Sequence, residues 1–163
     1  MFNSKEDFHA WLLDQAAALR AHDSEALDWE NLAEQIDSLA VGKRREMKER
    51  LTTLAMHLLK LNFEPEQVWR HNSWRISIIE ARQQISHILE DSPGVFQGKP
   101  EDVLARAYDD ARKNAACVSM LPLTTFPEEC PWPYELVMDE NFFPSVTKAE
   151  GDRVTRLIDF LDE

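Results

Sequence analysis

Between Trp29 and Leu61 one nonpolar stripe runs almost without a break. Trp29, Leu32, Ala33, Ile36, Ala40, Met47, Leu51, Leu54, Leu58 and Leu61 recur at steps of three and four or their multiples. That spacing returns side chains to one face of an α-helix and cannot serve a strand, whose faces alternate at every residue. The phase barely slips at Gly42, and one glycine costs only about 1 kcal/mol against alanine in a helix. A single long helix over about 28–62 is therefore expected, with Gly42 as a possible kink and a two-helix arrangement as the alternative. Proline at position 65 closes it, because proline lacks the donor to continue and pushes the residue before it out of the α region.

The rest of the chain repeats the pattern in shorter lengths. Ser4 and Asp7 suit the start of a first helix, with Phe8, Trp11, Leu12, Ala16 and Leu19 as its stripe and a polar break at His22-Asp23-Ser24. A third helix is expected from Asn72 or Ser73 to Asp91, burying Trp74, Ile78, Ala81, Ile85, Ile88 and Leu89 and ended by Ser92-Pro93-Gly94. Pro100-Glu101-Asp102 suits the first turn of a fourth, by its fixed φ and its negative charge, and Val103, Leu104, Ala107, Tyr108, Ala111 and Val118 carry its stripe to about Met120. Five prolines between Pro122 and Pro144 then forbid long helices, so the aromatic residues among them, Phe126, Trp132, Tyr134, Phe142 and Phe143, are expected to lie over the bundle around one short helix near 134–139. Val154, Leu157, Ile158 and Leu161 describe a short terminal helix. The reading is an all-α bundle of four to five main helices with a proline- and aromatic-rich irregular C-terminal segment. Residues 1–144 form one helical domain and 145–163 an extension.

Charge and cysteine content narrow the function classes. The formal net charge is −12, with the acid excess mainly in the second half, so nucleic acid and anionic membranes are disfavoured as partners. The two cysteines, Cys117 and Cys130, lack the number and spacing of a zinc site or a disulfide framework. No stretch has the length of a signal peptide's apolar region or a membrane span, which points to a cytoplasmic protein.

Several strings resemble the bacterial family known as domain of unknown function 29. They are Leu27-Asp28-Trp29-Glu30-Asn31-Leu32-Ala33-Glu34-Gln35-Ile36, His57-Leu58-Leu59-Lys60, Ser73-Trp74-Arg75, Tyr108-Asp109-Asp110-Ala111-Arg112, Phe126-Pro127-Glu128-Glu129-Cys130-Pro131 and Asn141-Phe142-Phe143-Pro144. The resemblance covers about residues 6–144. Trp132 departs from it, standing where a tyrosine after Cys-Pro is more familiar. A small helical protein is implied, with no activity, substrate or cofactor to carry over.

Candidate chemistry is sparse. Arg50 and His57 are seven residues apart, about 700° of helical turn, so they share a face. An arginine followed at this spacing by a histidine resembles the motif of HEPN-type ribonucleases, where the pair would activate a ribose hydroxyl and stabilise phosphate charge. Arg82 and His87 fit the same loose spacing, and a chain with 11 arginines and five histidines throws up such pairs by chance. Lys43, Arg44 and Arg45 open the one basic stretch, a candidate surface for RNA or an acidic partner, although its interleaved glutamates suit a solvated helix face. Only Glu6 and His9 have Glu-x-x-His spacing, short of the set a di-metal bundle needs, so neither metal nor cofactor is expected. Trp132 and Phe142 are the aromatic candidates for a partner surface. The leading expectation is a non-enzymatic module for protein interaction or self-association. The ribonuclease is the alternative, and a nucleic-acid-binding regulator comes third.

Overall fold

The computed structural model describes residues 7–64 and 67–144, so Ser4, Pro65 and the expected terminal helix lie outside the described residues. The fold is all-α. Helices α1 (Phe8–Ala21), α2 (Trp29–Phe63), α3 (Val68–Asp91), α4 (Pro100–Ser119) and α5 (Tyr134–Met138) follow one another, with a 3₁₀ turn at Leu123–Thr125. Among the described residues there is no strand, and no helix is long and apolar enough to cross a membrane. The chain divides into two compact units, residues 1–43 and 44–163, with α2 contributing to both.

In the first unit the α1 boundaries follow from side-chain and backbone chemistry. Asp7 caps the start by accepting the Ala10 N–H at 2.9 Å, meeting one of the four orphan donors of a helix N-terminus. His22 ends the helix in the left-handed region at φ 57°, and the Asp23 N–H reaches back to the Ala18 carbonyl at 3.0 Å. Gln15, fully buried, then fastens the connection: its amide donates to the Ala26 carbonyl at 3.3 Å and its oxygen accepts the Asp28 N–H at 2.7 Å. Asp28 in turn accepts from the backbone and side chain of Asn31, capping α2 one residue before its first turn.

The second unit is built on the later part of α2. Met47, Leu51, Leu54, Ala55, Leu58 and Leu59 are buried together with Trp74, Ile78, Ala81, Ile85 and Ile88 of α3 and Leu104, Ala107, Tyr108, Ala111 and Ala115 of α4. The expected faces of α3 and α4 hold, except that Leu89 is only half-buried, Val118 is 55% exposed and Ala115 takes the inward position. Helix α3 starts at Val68, at least four residues before the expected Asn72 or Ser73. Its N-cap, Gln67, makes no side-chain capping bond and instead donates to the Glu64 carboxylate at 3.1 Å, so the usual sequence signal for a helix start is missing. The Ser119 hydroxyl donates to the same carboxylate, and a ring nitrogen of His71 lies 3.3 Å from the Glu64 carbonyl oxygen.

The proline-rich segment does lie over the bundle, and polar side chains hold it there. The Tyr108 hydroxyl donates to the Pro127 carbonyl at 2.8 Å and Arg112 Nε to the Phe126 carbonyl at 3.0 Å. Arg82, buried to 3% exposure, donates to the carbonyls of Val137 at 2.9 Å and Phe142 at 2.8 Å, on either side of the last turn. Its guanidinium also lies 5.3 Å from the Phe143 ring centre. Burial pushes Arg82 down to about 10, opposed by Asp139 and Glu140, so it remains charged at neutral pH. Hydrogen bonds from a charged donor contribute about 1.5–3 kcal/mol each, and removing the donor strands both acceptors. Arg82→Met is therefore expected to lower unfolding stability by about 3–5 kcal/mol in urea titration, with helical content kept and the near-ultraviolet signal of the Trp132 environment reduced. A loss under about 0.5 kcal/mol would mean the segment is held by packing alone.

Candidate functional site

Arg50 and His57 both lie on α2, separated by roughly 10 Å of helical rise. Arg50 Nε and His57 Nδ1 are each buried and have no hydrogen-bond partner. Burial, aided by the positive charge of Lys60 one turn later, pushes His57 down to about 4, so the imidazole is neutral at pH 7. A neutral imidazole can accept a proton, but a base must also reach the group it deprotonates. Neither residue lines the two open cavities described below.

Two cations of the basic stretch, Arg45 and Lys48, pair with carboxylates of the protein. Arg45 Nε pairs with Glu49 at 3.5 Å and Lys48 Nζ with Asp110 at 2.6 Å, while Lys113 pairs with Asp109 at 2.5 Å. Arg45, Lys48, Glu49, Asp110 and Lys113 border an open cleft of about 550 Å³ between α2 and α4. The Thr52 and Thr53 hydroxyls in the cleft donate to carbonyls of their own helix, those of Lys48 and Glu49, at 2.9 and 3.1 Å. Lys43 is exposed and Arg44 half-buried, and neither borders this cleft. Among the described residues no group of three or more His, Cys, Asp or Glu side chains is placed to hold a metal ion.

Trp132 and Phe142 are buried at 2% and 0% exposure, edge to face with ring centres 5.8 Å apart. Their apolar area is spent on the core and on each other, so neither presents a surface to a partner. The Trp132 indole N–H is nevertheless buried without an acceptor. A second cavity, about 380 Å³, is lined by residues that include Tyr108, Cys130, Trp132 and Tyr134 with Glu101, Glu128 and Glu129. Burial pushes the Cys130 thiol up, and its S–H donates to the Trp132 carbonyl at 3.3 Å, so it is no thiolate nucleophile. Sequence reading missed this cavity because its walls come from α4, the loop before Trp132 and α5, with no shared spacing.

A third feature is a surface rather than a cleft. Leu13, Trp29, Ile36, Leu39 and Val41 of the first unit are all more than half exposed, and Phe8, Leu12 and Leu19 are also exposed. Sequence periodicity had assigned Trp29, Ile36 and Ala40 to the same stripe as the core of α2. They share its azimuth, since Trp29 and Met47 are 18 residues, five whole turns, apart, but they lack its cover.

The family model described as domain of unknown function DUF29 matches residues 5–143. The chain belongs to this family. No curated protein and no solved structure compared with the DUF29 chain matches it.

His57 provides a pH test of the geometry around α2. Its folded value near 4 lies below the ordinary 6.5, so between these values the unfolded chain binds the extra proton. The contribution of neutral, buried His57 is complete above pH 6.5 and is lost as pH falls towards 4. The ceiling is about 3 kcal/mol, roughly halved because part of the ring meets solvent. Urea titrations of wild type and His57→Gln across this range are expected to show a stability difference that varies with pH and flattens above 6.5. Parallel curves would place His57 in solvent.

Proposed function

We propose that this DUF29 protein is a non-enzymatic helical module that acts by docking a partner protein on the exposed apolar face of residues 8–41. The observation that carries the reading is the exposed apolar side of the first turns of α2, where Trp29 and Ile36 of the stripe and the neighbouring Leu39 are 62%, 65% and 71% exposed. Isolated exposed hydrophobics are ordinary, but several along one helix face are characteristic of interaction surfaces. Covering three such side chains contributes roughly 4–9 kcal/mol before the cost of association, enough to support a specific complex.

Charge selects the occupant. Residues 7–43 hold eight carboxylates against two cations, Arg20 and Lys43. Glu30, Glu34 and Asp37 run along one edge of the stripe by helical spacing. Two copies meeting on this face would bring like charges together, whereas an amphipathic helix with apolar and basic edges would be complementary. Support for the ribonuclease reading is thinner: Arg50 and His57 each bury an unpartnered nitrogen, and neither lines the cleft beside Lys48 or the cavity lined by Trp132. The nucleic-acid reading loses ground because Arg45 and Lys48 are paired with carboxylates.

The test compares wild type with the double variant Ile36→Asp, Leu39→Asp as bait in extracts of the native cell. A stoichiometric partner with a basic docking segment is expected on wild type and is expected to be weakened at least about 100-fold on the variant. Light scattering is expected to give a monomer for both. A wild-type dimer abolished by the variant would replace the basic partner with a second copy. Identical behaviour of the two baits, both monomeric, would overturn the module reading.

A further inference from the structure

We propose that residues 150–161 dock as an amphipathic helix on the outward face of α3, running antiparallel to it. This inference concerns the second unit alone and does not depend on the docking surface at residues 8–41. Trp69, Ile76 and Ile79 of α3 are 76%, 56% and 44% exposed, while the opposite side of the same helix is buried through Trp74, Ile78, Ala81 and Ile85. Steps of seven and three residues place the three exposed side chains in one row, with the exposed Asn72 and Gln83 in line, over about 15 Å of helical rise. A row of large apolar side chains on a helix otherwise packed into a core has the character of a contact face.

The exit of the chain selects the occupant. The Phe142 carbonyl accepts from Arg82 at 2.8 Å, and the Phe143 ring centre lies 4.7 Å from the Arg75 guanidinium and 5.3 Å from that of Arg82. Arg75 stands four residues before Ile79 and Arg82 three after it, so both are its neighbours on the helix surface. The described chain therefore leaves the bundle beside the Ile79 end of the row, and residues 145–163 follow from there. Residues 145–149 reach at most about 17 Å when extended, which holds the start of the next element within that radius of Ile79. As a helix, 150–161 spans about 18 Å, close to the length of the row, and Val154, Leu157, Ile158 and Leu161 then fall on one side of it. Charge sets the direction. Along α3 the row begins beside the exposed cation Arg70 and ends beside the exposed carboxylate Glu80, whereas along the segment Arg153 stands at the start of the stripe and Asp162 at its end. Antiparallel docking brings each charge to its opposite, and parallel docking would bring like charges together. A tether of this kind holds the segment at an effective concentration on the order of 1 mM, so a contact too weak to join separate molecules suffices within one chain. The match to the DUF29 family model stops at residue 143, so the docked helix is an addition to that domain.

The test uses the ¹⁵N-labelled full chain in a background of Cys117→Ser and Cys130→Ala, with Thr155→Cys carrying a nitroxide on the side of the segment away from its stripe. Paramagnetic broadening of the amide signals is expected to be strongest at residues 69–83. The double variant Leu157→Asp, Ile158→Asp is expected to weaken docking at least about 100-fold and to remove most of that broadening, while the rest of the spectrum stays that of the folded protein. Ile76→Asp, made on α3 at an exposed position, should act in the same direction. Broadening centred on residues 8–41 would put the segment on the first unit instead. Broadening of a ¹⁵N chain without nitroxide, mixed with a nitroxide-bearing chain without ¹⁵N, would make the contact one between copies. Weak, uniform broadening that neither variant changes would leave the segment undocked. Each of these three results overturns the proposal.

Discussion

The second unit depends on the burial of one helix face, the part of α2 that carries Met47, Leu51, Leu54 and Leu58. These four side chains have at most 1% of their surface exposed and belong to one cluster with the inner faces of α3 and α4. Each contributes about 1.5–3 kcal/mol by leaving water, and truncating one would also leave a cavity that neighbouring helices close only in part. The proline-rich segment rests on the same assembly. It has no regular backbone pairing of its own beyond two short turns, so its carbonyls are met by side chains from helices the core has already placed: Arg82, Tyr108 and Arg112. Packing thus comes first, and the polar clasps then decide where the irregular segment lies.

Much of this was legible in the residues because helix periodicity is a local signal. The long α2, the α4 start at Pro100 and the short helix at Tyr134 follow from spacing, proline and charge at the termini. Where legibility failed, the cause was tertiary. Helix α3 begins without a capping side chain, since Gln67 turns back to Glu64, and no rule about helix starts anticipates a carboxylate from the preceding element. Gln15 reads as a polar residue of α1, yet it is fully buried because it spans the connection to α2. Periodicity identifies a face but cannot say what covers it. Trp29 and Met47 are equivalent in phase and opposite in exposure.

The candidate sites divide along the same line. Arg50 with His57, and Lys43 with Arg44 and Arg45, were visible as spacing and charge. Trp132 and Phe142 were visible as aromatics, but their burial follows from the way the segment folds back. The cavity beside Trp132 could not be read beforehand, since the separation between Glu101 and Tyr134 along the chain carries no periodic signature. What remains uncovered is then informative. Among the described residues, an apolar stretch of α2 stays exposed beside a run of carboxylates, and a contiguous exposed apolar patch is the usual character of an interaction surface.

The most direct measurement of this account is the thiol reactivity of two positions on the single stripe of α2. In a background carrying Cys117→Ser and Cys130→Ala, Ile36→Cys and Leu54→Cys would each be exposed to a maleimide reagent in the native protein at low concentration. The account predicts that the thiol at 36 reacts about as fast as a free cysteine, while that at 54 reacts only through unfolding, slower by several orders of magnitude, roughly in line with marginal domain stability. Equal protection at both positions would contradict it, since the stripe would then be covered along its whole length and no face would be left for a partner.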